Sequence, residues 1–268
     1  MLPNFIRERI PEHIREDLSI TILSQAGKYR WSYWIYSAIL CNGYPKGLEF
    51  LPDWEFGYWY KGNHIKIPRD AGIVIKETFE DKVYRYYPIN KGDVVLDIGA
   101  YIGTYTLVAA TAVGESGMVI AIEPDNRNMK YCQDNCAKYG NITYINKTIS
   151  NKPGKEKLYL SSGSACHSLV FYHNKSIEVE STTIDELVNE LKLPKVNLIK
   201  MDIEGANLLA LEGAEETLKR PEVKLAIAAY HKQPNGKPEL PYVANLLENK
   251  GFTVHQRKGY LYAEKKHI

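Results

Sequence analysis

The chain has 268 residues, 44% of them hydrophobic and 25% charged, and its formal net charge at pH 7 is +2. These values are ordinary for a globular protein, and the length allows one large core, alone or with a smaller appendage. The near-neutral balance gives no electrostatic reason to expect nucleic-acid binding, although local basic patches stay compatible with it.

The cysteines argue against a disulfide framework, because a chain of this length contains only four of them. Cys132 and Cys136 lie one helical turn apart, and no further Cys or His pair offers the ligands that a zinc site needs. We interpret both as packing residues and assign no metal-binding residue.

The N-terminal region predicts neither a secretory signal nor a membrane span. Charged residues from Arg7 onward come too early for the apolar part of a signal peptide, and the most apolar run, Trp31–Cys41, is too short to cross a bilayer. The sequence therefore predicts a cytoplasmic protein.

Residues 1–70 are interpreted as an N-terminal extension. Helical spacing of apolar residues predicts an amphipathic helix over Phe5–Leu18, and an aromatic-rich segment follows over Trp31–Tyr60. This segment is interpreted first as the core of a small lid, but it could also be a wall for a substrate or an interface that forms a homo-oligomer. Short strands are predicted at His64–Ile67 and Gly72–Ile75.

A strand, a glycine turn and a helix follow one another in the next part of the chain. The apolar run Val94–Ile98 contains Asp97 near its end, Gly99 and Gly103 follow, and a helix is predicted over Thr104–Val113. Glycines let the backbone approach a ligand, and the N–H groups of a helix N-terminus attract a carboxylate. The Asp-x-Gly-x-x-x-Gly spacing differs from the dinucleotide pattern and favours S-adenosylmethionine as cofactor.

The second strand supplies an acid at a position suited to a ribose. Met118–Ile122 is predicted as a strand and ends at Glu123, which we expect to accept hydrogen bonds from both ribose hydroxyls. The alternative is a solvated loop carboxylate before a helix over Arg127–Tyr139, with Asp125 as the N-cap.

Strands and helices continue to alternate, which predicts an α/β protein with a doubly wound, mostly parallel sheet and a ligand crevice at the strand carboxyl ends. A closing hairpin departs from the dehydrogenase pattern and fits a methyltransferase, so residues 71–268 are interpreted as an S-adenosylmethionine-binding domain. The further predicted strands are Ile142–Ile149, Val196–Ile203, Val223–Ala229, Phe252–Gln256 and Tyr260–Glu264, and the further helices are Thr183–Leu191, Ala206–Arg220 and Leu240–Lys250.

Two acids end the predicted strand Val196–Ile203 at the expected cofactor edge. Asp202 and Glu204 could hold the ammonium group of the cofactor, bind a divalent cation, or take a proton from an attacking hydroxyl. Glu204 could instead only stabilise the next helix through its dipole. A divalent cation has no support beyond this pair of acids.

Four blocks together resemble the FkbM-type S-adenosylmethionine-dependent methyltransferases. They are Asp97–Gly103, Glu123–Pro124, Thr182–Leu187 and Ile199–Ala206, and the similarity extends from about residue 72 to about residue 230. The resemblance implies a seven-stranded class I fold and methyl transfer, usually to a hydroxyl oxygen, so the acceptor would be a small molecule or a glycan.

Three positions depart from the family pattern. Tyr101 stands where the family usually has Asn, and Asn207 stands where it usually has a second Glu. At the end of the fifth strand the family commonly shows an acid near a His, whereas here Ala228–Tyr230 precedes His231. The cofactor turn tolerates the first change because the backbone does most of the binding, and the other two leave the acceptor and the base open.

Combining the motifs with the resemblance gives a set of candidate site residues. The predicted catalytic residues are Asp202, His231 and Glu204, with His231 as general base because it follows the fifth strand and titrates near neutrality. The alternative is that His231 is an ordinary polar loop residue without a catalytic role. The predicted cofactor-binding residues are Asp97, Gly99, Ala100, Tyr101, Ile102, Gly103, Thr104, Glu123, Pro124, Asn146, Lys147, Thr148 and Asp202.

Outside these motifs the sequence leaves substrate and class alternatives open. Acceptor specificity is expected in the N-terminal extension and in the insert over residues 152–180, from which His167 could reach over the site. A nucleic-acid methyltransferase on the same fold is opposed by the charge balance and by the lack of an Asn-Pro-Pro-Tyr-like motif. An NAD-dependent oxidoreductase is opposed by the glycine spacing, and a catalytically silent cofactor-binding module is a further alternative.

Overall fold

The computed structural model of the protein describes residues 48–50, 56–68, 71–161, 167–233 and 235–266. The chain divides into two compact units, Met1–Glu80 and Asp81–Ile268. The predicted helix over Phe5–Leu18 and most of the predicted aromatic segment lie outside the described residues. The predicted division into residues 1–70 and 71–268, and the role of the first part as lid or interface, stay predictions.

The described part of the first unit is a small antiparallel sheet followed by a short helix. The strand predicted at His64–Ile67 is confirmed, whereas the strand predicted at Gly72–Ile75 is wrong. So short an apolar run fits either kind of element, and here Val74 N donates to Ala71 O across a helical turn. The elements are β1 (Leu48–Phe50), β2 (Phe56–Tyr60), β3 (Asn63–Ile67), α1 (Gly72–Ile75) and a π-helical turn (Lys76–Glu80).

The second unit is built on a seven-stranded sheet with a smaller sheet beside it. Its strands are β4 (Val94–Ile98), β5 (Met118–Ile122), β6 (Ile142–Ile145), β7 (Thr148–Ile149), β8 (Gly154–Leu160), β9 (Lys175–Thr182), β10 (Leu198–Met201), β11 (Lys224–Ala228), β12 (Phe252–Arg257) and β13 (Tyr260–Lys265). The large sheet has the order β12-β13-β11-β10-β4-β5-β6. The strands from β11 to β6 are parallel, and β13 pairs antiparallel with β11. The predicted class I methyltransferase fold is confirmed.

Helices lie between the strands of the large sheet, and two of them begin at side-chain caps. They are α2 (Thr104–Val113), α3 (Asn126–Asn135), α4 (Ile184–Glu190), α5 (Asn207–Glu212) and α6 (Leu240–Asn249). Asp125 accepts a hydrogen bond from Asn128 N at 2.9 Å and caps α3, as the sequence predicts. Thr183 and Glu186 form a capping box at the start of α4.

Two predicted elements are interrupted where the backbone must turn. The strand predicted over Ile142–Ile149 divides into β6 and β7, because Asn146 leaves the sheet and donates its side-chain N–H to Glu123 O at 2.9 Å. The helix predicted over Ala206–Arg220 stops at Gly213, where a Cβ would collide with the carbonyl oxygen of Ser150. A short 3₁₀ turn over Thr217–Lys219 follows.

The insert over residues 152–180 forms most of the second sheet. Its order is β7-β9-β8, and β8 pairs antiparallel with β9 along its whole length. After β8, Ser168 returns to pair with Tyr159 in an isolated bridge. The insert therefore begins and ends beside β7, close in sequence to the end of β6.

The central strands are buried on both sides, as expected for a parallel sheet that helices cover. One apolar cluster includes residues of β4, β5, β10 and β11 together with α4 and α6, and a second lies around α2. In the part of the chain that the structure describes, no helix is long and apolar enough to cross a membrane. The predicted cytoplasmic location stays a prediction.

Candidate methyl-transfer site

The turn after β4 has a backbone that only small residues adopt without strain. Gly99, Tyr101 and Gly103 have φ angles of 75°, 52° and 82°. A Cβ at Gly99 would collide with the carbonyl oxygen of Asp202, so glycine is required where the turn meets the end of β10. Asn adopts the left-handed region more readily than Tyr does, which gives a physical reason for the Asn that the family usually has at position 101.

Gly103 serves helix packing as well as the turn. A Cβ there would lie 2.9 Å from the Sγ of Cys132 and 3.1 Å from the Sγ of Cys136. Both cysteines are buried and free, and the Sγ of Cys136 lies 3.5 Å from Gly103 O. Their interpretation as packing residues is confirmed: they hold α3 against the start of α2.

A buried ion pair between β4 and β10 stabilises the turn. Asp97 is 0% exposed, and its Oδ1 lies 3.0 Å from the Nζ of Lys200 on the neighbouring strand β10. The same Nζ donates to Gly99 O at 2.6 Å, and Thr106 Oγ1 donates to Asp97 Oδ2 at 2.6 Å. Asp97 was predicted to bind the cofactor, but its carboxylate faces these buried partners, so we infer that it acts by fixing the turn.

Glu123 lies at the end of β5 and points toward the same turn. Its Oε2 accepts a hydrogen bond from Tyr101 N at 3.0 Å, and its Oε1 accepts from Asp125 N at 3.1 Å. The residue is 6% exposed, so the alternative of a solvated loop carboxylate is wrong. Burial raises the pKa of Glu123 to about 7, although these backbone hydrogen bonds oppose the shift.

The other predicted cofactor residues lie at the same edge of the sheet. Ala100, Ile102 and Thr104 are buried within the turn and the first residue of α2. Pro124 is half-buried beside Glu123. Asn146, Lys147 and Thr148 follow β6, where the side chain of Asn146 also donates to Pro124 O at 3.2 Å.

Two loops beyond the ends of β10 and β11 bring the predicted catalytic residues together. His231 Nε2 lies 3.1 Å from Glu204 Oε2, and side-chain atoms of Asp202, Glu204 and His231 lie within 4.8 Å of one another. One divalent cation could reach three groups at this spacing. Each of the three groups also has a protein partner in the absence of a cation. His231 and Glu204 pair with each other, and Asp202 accepts a hydrogen bond from the hydroxyl of Tyr84.

The charge environment of His231 favours its protonated form. Burial lowers its pKa, but the hydrogen bond to Glu204 and the negative charges of Glu204, Asp202 and Glu239 outweigh burial and raise it above 6.5. His231 is only 9% exposed, and the ring of Tyr230 covers it with the ring centroids 4.2 Å apart.

Tyr84 is a site residue that the sequence analysis missed. Its hydroxyl donates to Asp202 Oδ2 at 2.7 Å. Burial and the charge of Asp202 raise the pKa of Tyr84 well above its usual value, so it stays a neutral donor. It belongs to an irregular segment before β4, and its ring packs edge-on against Tyr105 and Tyr260. No local pattern marks such a residue.

The insert contacts the loop that carries Glu204. Ser168 Oγ donates to Glu204 O at 2.7 Å, and a Cβ at Gly205 would lie 2.9 Å from the ring of Phe171. Glu204 itself has a left-handed backbone with a φ of 48°, which this hydrogen bond helps to hold. His167, predicted to reach over the site, accepts a hydrogen bond from Ser161 N through Nδ1 at 3.3 Å.

Comparison with known proteins agrees with this architecture. Residues 97–254 match the family model described as the methyltransferase FkbM domain. The chain is 26% identical over 140 residues to the hexuronic acid methyltransferase AglP of Haloferax volcanii, a match that covers 52% of this chain and 56% of AglP. The chain thus spans little more than half the length of that relative.

Two further similar proteins come from other organisms. The ribosomal RNA large subunit methyltransferase E of Methanobrevibacter smithii is 31% identical over 154 residues, which cover 55% of this chain and 70% of that protein. The crystal structure of an FkbM methyltransferase from Methylobacillus flagellatus KT is 22% identical, with a TM-score of 0.47, and the alignment covers 69% of this chain and 46% of that one. Because the family model matches more than half of the chain, this protein belongs to the FkbM family of S-adenosylmethionine-dependent methyltransferases.

Proposed function

We propose that the protein transfers the methyl group of S-adenosylmethionine to an oxygen atom of a small-molecule or sugar acceptor, with a hydroxyl as the expected target. The observation that carries this proposal is the pairing of His231 with Glu204 at 3.1 Å, beside the glycine turn. A hydroxyl must lose its proton when it is methylated, and an imidazole held by a carboxylate is suited to take that proton. The bond between the two groups also fixes the ring orientation.

The reaction needs no covalent enzyme intermediate. The acceptor oxygen attacks the methyl carbon in line with the carbon–sulfur bond, whose electrons pass to sulfur, and the hydroxyl proton passes to the His231–Glu204 pair. Most of the rate gain comes from holding the two reactants in this alignment. Asp202, held by Tyr84, lies beside the pair and is positioned to bind the cofactor ammonium group or the acceptor hydroxyl.

The cofactor assignment extends the same proposal to the turn. Glu123 binds the ribose hydroxyls, the backbone from Gly99 to Thr104 surrounds the methionine part, and the segment from Asn146 to Thr148 borders the adenine. The carboxylate of Glu123 is already fixed by Tyr101 N, so it is preorganised for a ligand.

Glu123→Gln is expected to raise the Kd for S-adenosylhomocysteine by about 10- to 100-fold, because hydrogen bonds to a charged group contribute about 1.5–3 kcal/mol. In the wild type the affinity should fall as the pH drops below about 7, where Glu123 takes up a proton. In the variant this part of the pH dependence should disappear. Calorimetric titration across the pH range measures both effects.

The control for that experiment is Glu115→Gln, because Glu115 is exposed and lies before β5, at the opposite end of the sheet. The Kd of the Glu115→Gln variant for S-adenosylhomocysteine should equal that of the wild type. If Glu123→Gln also binds like the wild type at every pH, Glu123 does not contact the ribose.

The acceptor is tested by supplying candidates directly. AglP acts on a hexuronic acid by its name, so hexuronic acids and their methyl glycosides are the first candidates, with neutral hexoses alongside. We expect S-adenosylhomocysteine and a methylated sugar in equal amounts. An alkali-stable methyl ether places the methyl group on a hydroxyl, whereas an alkali-labile methyl ester would move the target to the carboxylate. Cofactor binding without any product would favour the silent binding module.

A nucleic-acid acceptor is the second candidate, and the identity with the ribosomal RNA methyltransferase favours it. The net charge of +2 opposes it, because binding to phosphates depends on basic residues. Methylated nucleosides in digested RNA, together with RNA binding that weakens steeply with salt, would replace the sugar proposal.

A further inference from the structure

Glu239 is a fully buried acid that contacts the loops on both sides of the catalytic pair. It is 0% exposed and lies just before α6. Its Oε1 accepts a hydrogen bond from Asn207 N at 3.0 Å, and its Oε2 accepts from Asn207 Nδ2 at 2.8 Å. One carboxylate thus binds both the backbone and the side chain of the first residue of α5, three positions after Glu204.

The same two residues also hold the loop of His231. Glu239 N donates to His231 O at 3.0 Å. Asn207 Nδ2 donates to Ala228 O at 2.9 Å, and Ala228 is the last residue of β11. The contacts therefore connect the start of α5, the end of β11 and the backbone of His231.

Strand pairing alone does not fix the distance between Glu204 and His231. The parallel pairing of β10 with β11 ends at Met201 and Ile227, and both catalytic residues lie beyond it. Glu204 and Gly205 then adopt left-handed backbone angles, φ 48° and 86°, which turn the chain away from the strand direction. Side-chain contacts must hold the two loops together past this point.

Burial of a carboxylate is unfavourable unless hydrogen bonds compensate it, and a residue kept in such a position needs a reason. Here both oxygens of the Glu239 carboxylate accept hydrogen bonds from Asn207, so the carboxylate is bound to the start of α5.

We propose that Glu239 is a positioning residue that holds the Glu204 and His231 loops together, so that the His231–Glu204 hydrogen bond is formed before the acceptor binds. The proposal rests on the proposed function for the use of this pair in proton transfer. The role of Glu239 in forming the pair can be tested without an acceptor.

The test follows the ring of His231 by NMR in the full chain labelled with ¹⁵N-histidine. The charged and titratable groups that face this ring are Glu204, Asp202 and Glu239, and Tyr230 packs on it. In Glu239→Gln, loss of the negative charge and weakening of the hydrogen bond to Glu204 both lower the pKa of His231. We therefore expect the pKa of His231 to be lower than in the wild type.

Turnover gives the second readout. Misplacement of a catalytic group by about 1 Å can cost about 100-fold in rate, so we expect kcat in Glu239→Gln to fall by about 10- to 100-fold. The Kd for S-adenosylhomocysteine should change by less than about threefold, within the ordinary scatter of a distant substitution. The matched control is Glu248→Gln, the same exchange at an exposed position of α6, which should leave all three values unchanged.

A second variant separates geometry from folding. In Asn207→Asp/Glu239→Gln the amide and the carboxylate exchange places, so the hydrogen bond between the two side chains can form again with reversed polarity, whereas the bond from residue 207 to Ala228 O is lost. We expect this pair to recover part of the kcat that Glu239→Gln loses. If Glu239→Gln does not unfold cooperatively, the double variant is used in its place.

The outcomes distinguish this proposal from the proposed function. Cooperatively folded Glu239→Gln protein with an unchanged His231 titration and unchanged kcat would overturn the positioning role. Loss of the His231–Glu204 hydrogen bond in the ¹⁵N spectrum of Glu239→Gln, together with normal turnover both there and in a His231 variant, would support the positioning role and overturn the use of the pair in proton transfer.

Discussion

Replacement of His231 by asparagine is expected to lower kcat by about 10²- to 10⁴-fold, the usual contribution of general acid–base catalysis. The Kd for S-adenosylhomocysteine should stay near the wild-type value, because the ring contacts Glu204 and Tyr230 rather than the glycine turn. Asparagine keeps a polar group next to Glu204 but cannot take up the proton. Steady-state turnover with the identified acceptor, set beside calorimetric titration, measures the two quantities separately.

The pH dependence of kcat/KM tests whether His231 acts as a base. A base must be unprotonated to act, so kcat/KM should rise with pH through the pKa of His231, which lies above 6.5, and then level off. Glu204→Gln removes the neighbour that raises this pKa most, so the rising part of the profile should move to lower pH. Equal losses in turnover and in cofactor affinity for His231→Asn would argue against the base role.

Replacement of Lys200 by methionine is expected to destabilise the fold by about 3–5 kcal/mol, because it leaves a buried carboxylate without its partner. The Nζ of Lys200 lies 3.0 Å from Asp97 Oδ1, and the side chains are 5% and 0% exposed. The variant also loses the hydrogen bond to Gly99 O, so the cofactor turn should loosen and the Kd for S-adenosylhomocysteine should rise. Urea unfolding monitored by circular dichroism measures the stability change.

The matched control is Lys130→Met, which breaks an exposed ion pair with Asp134 at 2.7 Å. Exposed pairs contribute less than about 1 kcal/mol, so this variant should unfold at nearly the wild-type urea concentration. Lys200→Met combined with Asp97→Asn should recover much of the loss, since the uncompensated charge is then gone. Similar unfolding of Lys200→Met and Lys130→Met would show that the buried pair does not stabilise the turn.

The sequence predicts the parallel sheet and its turn well because their signals are local. The run over residues 94–98, the glycines after it and the helix from Thr104 to Val113 follow directly from adjacent residues, and the structure has the same bounds. Where an apolar run is only four residues long, as at Gly72–Ile75, the local signal does not separate strand from helix.

The role of Asp97 required information that only the sheet register supplies. As the first residue of the Asp-x-Gly-x-x-x-Gly motif, Asp97 is predicted from the sequence to bind the cofactor. The register of β4 with β10 instead places Lys200 directly beside Asp97. Residues that are about a hundred positions apart in the chain become neighbours only through strand order, which no local pattern reveals.

The sequence predicts the proposed catalytic residues individually, but not the residues that support them. His231 and Glu204 follow strand ends, a position that the chain order reveals, and the structure brings them within hydrogen-bond distance. Tyr84, Ser168 and Glu239 hold this arrangement from an irregular segment, the insert and the turn before α6. Each acts through one or two long-range hydrogen bonds, so a linear pattern cannot mark it.

The central claim is that the methyl donor and the His231–Glu204 pair share one site, and a crystal structure with S-adenosylhomocysteine tests it most directly. We expect the ribose on Glu123 and the sulfur facing the pair, with room between them for the methyl group and for one acceptor oxygen that lies about 3 Å from the methyl carbon and about 3 Å from His231. A ligand bound away from the glycine turn, or a sulfur that faces away from His231, would contradict the account.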